Sequence, residues 1–227
     1  MKKFIFCLAL LVTSIISFAQ DQVVDAKDEP HHRPKLVNEV VRVIDVEVLP
    51  GDATLYHTHS LDYPYVMLST SQLKNTIPGK AQTDLNIAAG LIGYYRASQG
   101  AYTHRFTNVD NHAFRAIGIE LLNSKAAGGG AVPLIEVYGL TKVLDNERVR
   151  AYRITLLRGE SLGPLTLPGR SVRIAQTNGA LEQSANGGDA QRISLTVAQF
   201  EWREAATSYT LKNVGDNVLE LVEFEFK

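Results

Sequence analysis

Short runs rich in Val, Ile, Leu and Tyr follow one another from residue 36 to the end of the chain, and clusters of Gly, Pro, Asn and Asp separate them. Runs of this length and composition favour β-strands, and the clusters between them suit hairpins and longer loops. No stretch shows the apolar spacing of an amphipathic helix of three turns. The pattern predicts an all-β sandwich or barrel. The runs are VVRVIDVEVL, YVMLS, GLIGYYRA, FRAIGIELL, VRAYRITLL, RISLTVAQFEW and NVLELVEFEF.

The chain also repeats itself. Residues 36–59 align without a gap over residues 144–167, and eight of the 24 positions are identical. Further along, the pair Asn108-Val109 corresponds to Asn213-Val214. A repeat of this kind indicates a tandem duplication, in which each copy has enough short strands for one small barrel. The identical pairs are Leu36/Leu144, Asn38/Asn146, Glu39/Glu147, Val41/Val149, Arg42/Arg150, Leu49/Leu157, Gly51/Gly159 and Thr58/Thr166.

The repeat and the local composition divide the chain into segments. An Ala/Gly-rich stretch, residues 124–133, is interpreted as the linker between a first barrel at residues 36–123 and a second at residues 134–227. The polar residues 20–35 show no period and predict a flexible lead-in. His31 and His32 in this lead-in can touch a metal in principle, but adjacent side chains in a soft segment more often have no role.

The first 19 residues have the layout of a secretory signal peptide. Lys2 and Lys3 precede an apolar run at residues 4–16, and Ser17-Phe18-Ala19 forms a small-x-small cleavage site. The run is shorter than the roughly 20 residues that span a bilayer, so a retained anchor is the weaker interpretation. We expect cleavage after about Ala19 and a periplasmic or secreted protein.

Composition excludes several classes of function. The single cysteine, Cys7, lies inside the signal segment, so disulfides and thiol catalysis are not expected in the mature chain. The balance of 23 Lys and Arg against 24 Asp and Glu provides no basic field for a nucleic-acid backbone. No second long apolar run is present to cross a membrane once the signal is removed. The expected partner is a small-molecule ligand or substrate.

Two histidines stand one residue apart in the run YHTH. His57 and His59 share one face of the predicted strand, because side chains at i and i+2 of a strand point the same way. In the repeat they align with Leu165 and Leu167. Leucines so spaced normally face a core, so we expect both histidines to point into the first barrel.

A third histidine is expected to point into the same barrel. His104 aligns with Tyr209 of the second copy, so its ring is also expected to face inward. Buried imidazoles need partners, which are either hydrogen-bonding core groups or a metal. One buried histidine favours the core interpretation, whereas three that converge favour metal ligation.

The spacing of the first two histidines resembles the first motif of the cupin family, a Gly, five residues, His-x-His and a later Glu. Here Gly51 precedes His57 and His59 at that spacing. The family glutamate would fall where this chain has Tyr63 and Pro64, and the nearest carboxylate is Asp62. With Asp62 the implied ligand set is three histidines and one carboxylate, and without it three histidines.

The third histidine lies in a stretch that resembles the second cupin motif, a Gly, a Pro-x-Gly turn, a His and an Asn four residues on. The chain has Gly93, then Ser98 and Gly100 at the turn, then His104 and Asn108. Ser98 replaces the turn proline, and one extra residue separates Gly100 from the histidine. The resemblance covers both copies, so the sequence resembles that of a bicupin. In this interpretation Asn108 closes the turn after the ligand strand.

The resemblance implies two double-stranded β-helix (jelly-roll) barrels in tandem, packed as an intramolecular pseudo-dimer. It implies one divalent transition metal, Fe, Mn, Zn, Ni or Cu, in the first barrel, while the second barrel has lost its ligands. Imidazole nitrogens suit these ions, and three protein ligands leave coordination positions open.

Asp62 has three possible roles at this stage. It could be a metal ligand, it could accept a hydrogen bond from a ligating imidazole, or it could serve only as a turn residue, since Asp before Tyr-Pro suits a chain reversal.

Three function hypotheses follow from the resemblance. The first is a metal-dependent enzyme of dioxygenase type that acts on a small molecule. The second is a metal-dependent isomerase or lyase, which needs a proton-transfer group beside the metal. The third is a non-catalytic module that holds a metal or a small ligand. Fold alone does not choose among them.

Overall fold

The computed structural model describes residues 22–123 and 137–227, and within them the protein is built almost wholly of β-strands. Short 3₁₀ turns at Ala26–Asp28 and Ala97–Gln99 are the helical elements there. The first copy has ten strands: β1 Val23–Asp25, β2 His32–Val37, β3 Val41–Val48, β4 Tyr56–His59, β5 Tyr63–Met67, β6 Ser71–Thr76, β7 Thr83–Ile87, β8 Ile92–Tyr95, β9 Tyr102–Asn108 and β10 Phe114–Leu121.

The second copy repeats this order without a counterpart of the first strand. Its nine strands are β11 Leu140–Asp145, β12 Val149–Leu156, β13 Ser161–Thr166, β14 Ser171–Ala175, β15 Gly179–Ala185, β16 Gln191–Leu195, β17 Phe200–Arg203, β18 Ser208–Asn213 and β19 Leu219–Phe226.

Each copy folds into two sheets that face each other. In the first copy the strand orders are β1-β4-β9-β6-β7 and β2-β3-β10-β5-β8. In the second copy they are β13-β18-β15-β16 and β11-β12-β19-β14-β17. The chain passes repeatedly from one sheet to the other, as in a jelly roll. The predicted all-β fold with two jelly-roll barrels in tandem is confirmed.

One predicted run proves to be two strands. RISLTVAQFEW divides into β16 and β17, which belong to different sheets of the second barrel. Between them Ala198 adopts a φ of 73°, in the left-handed region that ends an extended segment. The apolar residues on both sides of this turn hid the break in the sequence pattern.

The repeated asparagine has the same structural role in both copies. The Asn108 side chain donates to the carbonyl of Val48 at 2.9 Å, and the Asn213 side chain donates to the carbonyl of Leu156 at 2.8 Å. Each also donates to the carbonyl four residues later and accepts from the backbone N–H two residues later. The predicted role of Asn108 in closing a turn agrees with these contacts.

Besides a core cluster inside each barrel, a third hydrophobic cluster joins the two barrels. This cluster contains Val43 and Ile119 of the first copy together with Ala151 and Phe224 of the second, and all four side chains are fully buried. These residues lie on β3, β10, β12 and β19, so one sheet of each barrel packs against the other. The copies thus form an intramolecular pseudo-dimer.

The predicted flexibility of residues 20–35 is wrong for the part that the structure describes. β1 pairs in parallel with β4, and β2 pairs antiparallel with β3. The segment therefore adds an edge strand to each sheet of the first barrel. β1 has only three residues and β2 contains polar side chains and Pro34, so neither gives a periodic signal.

Several expectations concern residues that the structure does not describe. The signal peptide at residues 1–19 and the linker at residues 124–133 both lie outside the described ranges. Within those ranges no helix has the length and apolar character needed to cross a membrane.

Candidate metal centre

Two neighbouring strands bring the three predicted histidines together. β4 pairs antiparallel with β9, and this register places His57 opposite His104 and His59 opposite Tyr102. His57 and His59 share a strand face by their i, i+2 spacing. Their ligand nitrogens and that of His104 all lie within 4.8 Å of one another. The convergence predicted from the repeat is therefore present.

Hydrogen bonds donated by Nδ1 orient two of these rings. His57 Nδ1 lies 2.9 Å from the carbonyl oxygen of Leu55, and His104 Nδ1 lies 2.8 Å from Oδ1 of Asn75. Asn75 in turn donates to the Tyr102 hydroxyl at 3.0 Å, which orients the amide. Because both acceptors are oxygens, Nδ1 carries the proton in each ring. Nε2 then presents its lone pair to the cluster, as metal-binding histidines do.

Two observations show that these nitrogens suit a cation. His57 is fully buried, and its Nε2 has no hydrogen-bond partner among the described residues. The Nε2 atoms of His59 and His104 lie 3.3 Å apart. Two nitrogens bound to one ion at about 2.1 Å in tetrahedral geometry would be separated by about 3.4 Å. The three side chains therefore fit a single divalent transition metal.

The electrostatics of the cluster keep the imidazoles neutral. Burial and the neighbouring imidazoles lower the pKa of His59 to about 2 and that of His104 to about 3. Burial also lowers the pKa of His57. Since a metal binds the neutral ring, the cluster needs little deprotonation at neutral pH.

The histidines line a cavity of 380 Å³ inside the first barrel. Its wall is largely apolar and aromatic. The Tyr63 and Tyr102 rings lie beside the imidazoles, and the Tyr95 ring contacts these two tyrosines. One carboxylate, Glu120, also lines it; this side chain is buried and paired with Arg42. Burial raises the pKa of Glu120, although Arg42 opposes the shift. The volume suits a small molecule.

The Asp62 carboxylate makes its contacts away from the three histidines and is not part of their group. Its carboxylate accepts from the Tyr94 hydroxyl at 2.9 Å and from the backbone N–H of Ser98 at 2.8 Å. Arg148 of the second copy lies 3.6 Å from Oδ2. These contacts support neither of the roles at the metal predicted for Asp62, and they are not those of a local turn: the carboxylate joins β8 and the 3₁₀ turn at Ala97–Gln99 to the second barrel.

The alternation of side chains along β5 explains why Asp62 turns away. Tyr63 and Tyr65 line the cavity, whereas Val66 packs in the core shared by the barrels. Asp62 stands four residues before Val66, so both side chains lie on the same face, which is the one that faces the second barrel. Tyr63 takes the place next to the histidines, where its ring stacks on His59 with centroids 4.6 Å apart.

Sequence reasoning discounted His32 as a metal contact and missed its place beside the cluster. This side chain is 6 % exposed, its Nδ1 lies 2.7 Å from the Ala26 carbonyl oxygen, and its ring centroid is 4.6 Å from that of His57. Glu120 was missed as well, because it follows an uninterrupted apolar run. The sequence signal for His32 was its residue type alone. Because residues 20–35 show no periodicity, nothing in the sequence indicated where the side chain points.

The second barrel has apolar or aromatic side chains where the first has its histidines. Leu165 pairs with Tyr209 across β13 and β18, as His57 pairs with His104. Leu165, Leu167 and Tyr209 belong to one buried core cluster. Within residues 22–123 and 137–227, the histidines of the first barrel form the one group suited to a metal.

Solved structures share this architecture. A cupin 2 conserved barrel domain protein from Leptotrichia buccalis is 13 % identical, with a TM-score of 0.51 over 86 % of this chain and 88 % of that protein. Procruciferin, an 11S globulin from Brassica napus, is 11 % identical, with a TM-score of 0.62 over 82 % and 75 %. The fold is that of a bicupin.

A third bicupin-like structure is a salicylate 1,2-dioxygenase from Pseudoaminobacter salicylatoxidans with gentisate adducts. It is 10 % identical, with a TM-score of 0.57 over 82 % of this chain and 68 % of that one. No protein-family profile matches the sequence, and no curated protein matches it. A dioxygenase and an 11S globulin share the bicupin fold, so the fold does not select the function.

Proposed function

We propose that this bicupin binds one divalent metal through His57, His59 and His104 and acts as a dioxygenase-type enzyme on a small molecule. The observation that carries the proposal is the convergence of the three ligand nitrogens, within 4.8 Å of one another, at a cavity of 380 Å³. A metal at the wall of a cavity suits chemistry on a bound molecule better than a purely structural role.

The ligand set narrows the choice of metal. Imidazole suits Zn, Cu, Fe and Ni, whereas Mn is favoured by carboxylates, and Asp62 is engaged elsewhere. Three protein ligands leave coordination positions at which a bound ion would hold substrate or dioxygen. The chain itself orients the ligands, through Leu55 and Asn75, and keeps them neutral by burial.

The cavity wall indicates the kind of substrate. Its side chains are mainly aliphatic and aromatic, such as Ile44, Phe106 and Tyr102. A small molecule with an apolar or aromatic ring can stack against the tyrosines while one polar group reaches the histidines. Salicylate and gentisate, named with the similar dioxygenase, have this character and belong in a first substrate panel.

Oxygen consumption tests the enzymatic part of the proposal. Protein loaded with Fe(II) is mixed with a panel of small aromatic and aliphatic acids, and uptake is recorded with an oxygen electrode. The matched control is the double variant His57→Leu and His59→Leu, which installs the residues of the second copy and should keep the fold. Substrate-dependent uptake by the native protein alone supports the proposal. Metal and ligand binding without turnover would indicate a non-catalytic module instead.

A metal-dependent isomerase or lyase is the second candidate, and Glu120 is the observation that favours it. A carboxylate that lines the cavity and has a raised pKa can hold or release a proton near a bound molecule. Glu120→Gln would abolish such an activity, whereas it would only reduce a reaction that needs no proton transfer at this side chain.

We further propose that the mature protein starts near Gln20 and works outside the cytoplasm. The support is the order of basic, apolar and small-x-small residues at positions 1–19. Intact-mass measurement of the protein from its native host should show the loss of these residues. A mass that retains them, or that carries a lipid on Cys7, would contradict export by a cleaved signal.

A further inference from the structure

We infer that His32 is a fourth imidazole ligand of the metal and that residues 23–37, here called the strap, deliver it to the site. The inference rests on the proposed metal site and adds a ligand from a separate segment of the chain. It makes the centre a four-histidine site in which metal binding and docking of the strap are coupled, and a six-coordinate ion there would keep two positions open for substrate or dioxygen.

The strap closes one side of the first barrel. Its first part, β1, pairs with the ligand strand β4, where Val24 lies opposite His57. Its last part, β2, pairs with β3 of the other sheet. Between these strands the chain crosses from one sheet to the other through the turn Ala26–Asp28. The strap therefore passes directly beside the three histidines.

His32 is held in the cluster by contacts of its own. It is the first residue of β2, is 6 % exposed and lines the same cavity as the three histidines. Its ring centroid lies 4.6 Å from that of His57 and 6.0 Å from that of His59. The bond from Nδ1 to the Ala26 carbonyl fixes the proton there, so Nε2 is the atom that can bind a metal.

The strap also supports the neighbouring ligand. The Glu29 side chain is buried and accepts the backbone N–H of Leu55 at 3.1 Å. The carbonyl of the same Leu55 accepts the Nδ1 proton of His57. The strap thus contributes one imidazole directly and fixes the orientation of another.

His32 can supply the fourth ligand that Asp62 does not. Asp62 is bound by Tyr94 and Ser98, so it does not supply the carboxylate that the cupin resemblance implied. His32 lies outside the tight group of three nitrogens, so we expect metal binding to draw the strap inward. An ion bound by side chains of β2, β4 and β9 would join both sheets of the barrel.

Counting imidazoles around bound Cu²⁺ tests the inference. The full-length mature protein is loaded with one equivalent of Cu²⁺, and pulsed electron paramagnetic resonance counts the coordinated imidazoles. His32→Asn is the informative variant, since its amide can still donate to Ala26 while the ligating nitrogen is lost. We expect four imidazoles in the native protein, three in the variant, and an affinity for Cu²⁺ that falls roughly 100-fold. The matched control is His112→Asn, a histidine on an exposed turn, which should change neither quantity.

Hydrogen exchange provides an independent readout. Zn²⁺ should slow amide exchange across residues 23–37 in the native protein, and the His32→Asn variant should lose most of this protection. A native spectrum with three imidazoles, unchanged in the variant, would overturn the role of His32 while leaving the three-histidine site intact. The proposed metal site itself is wrong if the native protein lacks one defined Cu²⁺ site. It is also wrong if His59→Leu leaves the affinity for Cu²⁺ unchanged.

Discussion

The Nε2 atoms of His59 and His104 lie 3.3 Å apart, although the two residues are 45 positions apart in the chain. The Nδ1 atom of His104 holds its proton against Asn75, so His104 offers a lone pair at this contact. Without a metal, one hydrogen bond from His59 can satisfy both nitrogens. With a metal, the His59 proton would move from Nε2 to Nδ1, and the Nε2 lone pairs of both rings would then face the ion. The same geometry therefore serves the free and the loaded protein.

Replacing the ligands by their counterparts in the second barrel should abolish metal binding and preserve the fold. His59→Leu and His104→Tyr install the residues found at Leu167 and Tyr209, where the second barrel packs them in its core. We expect Zn²⁺ affinity, measured by calorimetry, to fall by roughly 100-fold or more in either variant.

The control for these variants is Tyr209→Phe. It removes a hydroxyl that donates to Glu223 at 2.7 Å, far from the proposed ligands in the chain, and should leave the affinity and a stoichiometry of one metal per chain unchanged. Two metals per chain, or full affinity without His104, would mean that the site lies elsewhere.

Asp62 should matter for stability rather than for metal binding. Asp62→Ala leaves the backbone N–H of Ser98 and the Tyr94 hydroxyl without their acceptor and removes an ionic partner of Arg148. We expect the free energy of unfolding to fall by about 1–3 kcal/mol. Zn²⁺ affinity should stay within about twofold of the native value.

Asp52→Ala, on an exposed turn, is the control for that experiment. Chemical denaturation and calorimetry on all three proteins decide the outcome. A large loss of Zn²⁺ affinity with unchanged stability would show that Asp62 acts at the metal site.

The metal-free protein should lose stability as the pH falls through the range of an ordinary histidine. The pKa values of His32, His59 and His104 are lowered to about 4, 2 and 3, whereas an unfolded histidine titrates near 6.5. Between about pH 6.5 and 4 the unfolded chain binds more protons than the folded one. Each histidine then removes up to about 1.4 kcal/mol of stability per pH unit.

Denaturant unfolding at several pH values measures this slope. Stability should be complete above about pH 6.5 and decline below it, and the double variant His57→Leu and His59→Leu should show a shallower decline. Equal slopes in the native protein and the variant would show that the cluster does not control the acid response.

The two barrels should depend on each other for stability. Residues 20–123 alone would expose Val43, Ile117 and Ile119, which are fully buried in the shared core. An exposed apolar face of this kind favours aggregation or dimerisation. We expect this fragment to be poorly soluble or to self-associate in analytical ultracentrifugation. A stable, monomeric fragment would show that the copies are independent domains.

Much of the fold could be predicted from the sequence, because runs such as residues 114–122 and 149–157 have strand composition and clear boundaries. The repeat indicated which face of each strand is buried, so His57, His59 and His104 could be placed inside the first barrel. Asn108 and Asn213 occupy equivalent turns, which supports the alignment on which that inference depended.

The remaining features depend on contacts that leave no local pattern. β1 is a three-residue edge strand whose pairing with β4 uses backbone groups, so its side chains show no alternation. Because Asp62 follows His59 by only three residues, the sequence suggested that it lies near the metal. The chain passes from one sheet to the other between these residues, and the Asp62 side chain points away from the histidines. His32 reaches the cluster only because β2 pairs with β3.

Anomalous diffraction from crystals of the mature protein loaded with Zn²⁺ locates the bound ion without reference to activity. We expect one strong peak at the zinc absorption edge, about 2.0–2.1 Å from imidazole nitrogens of His57, His59 and His104. A peak in the second barrel, a peak bound by Asp62, or the absence of any peak near these rings in zinc-loaded crystals would contradict this expectation.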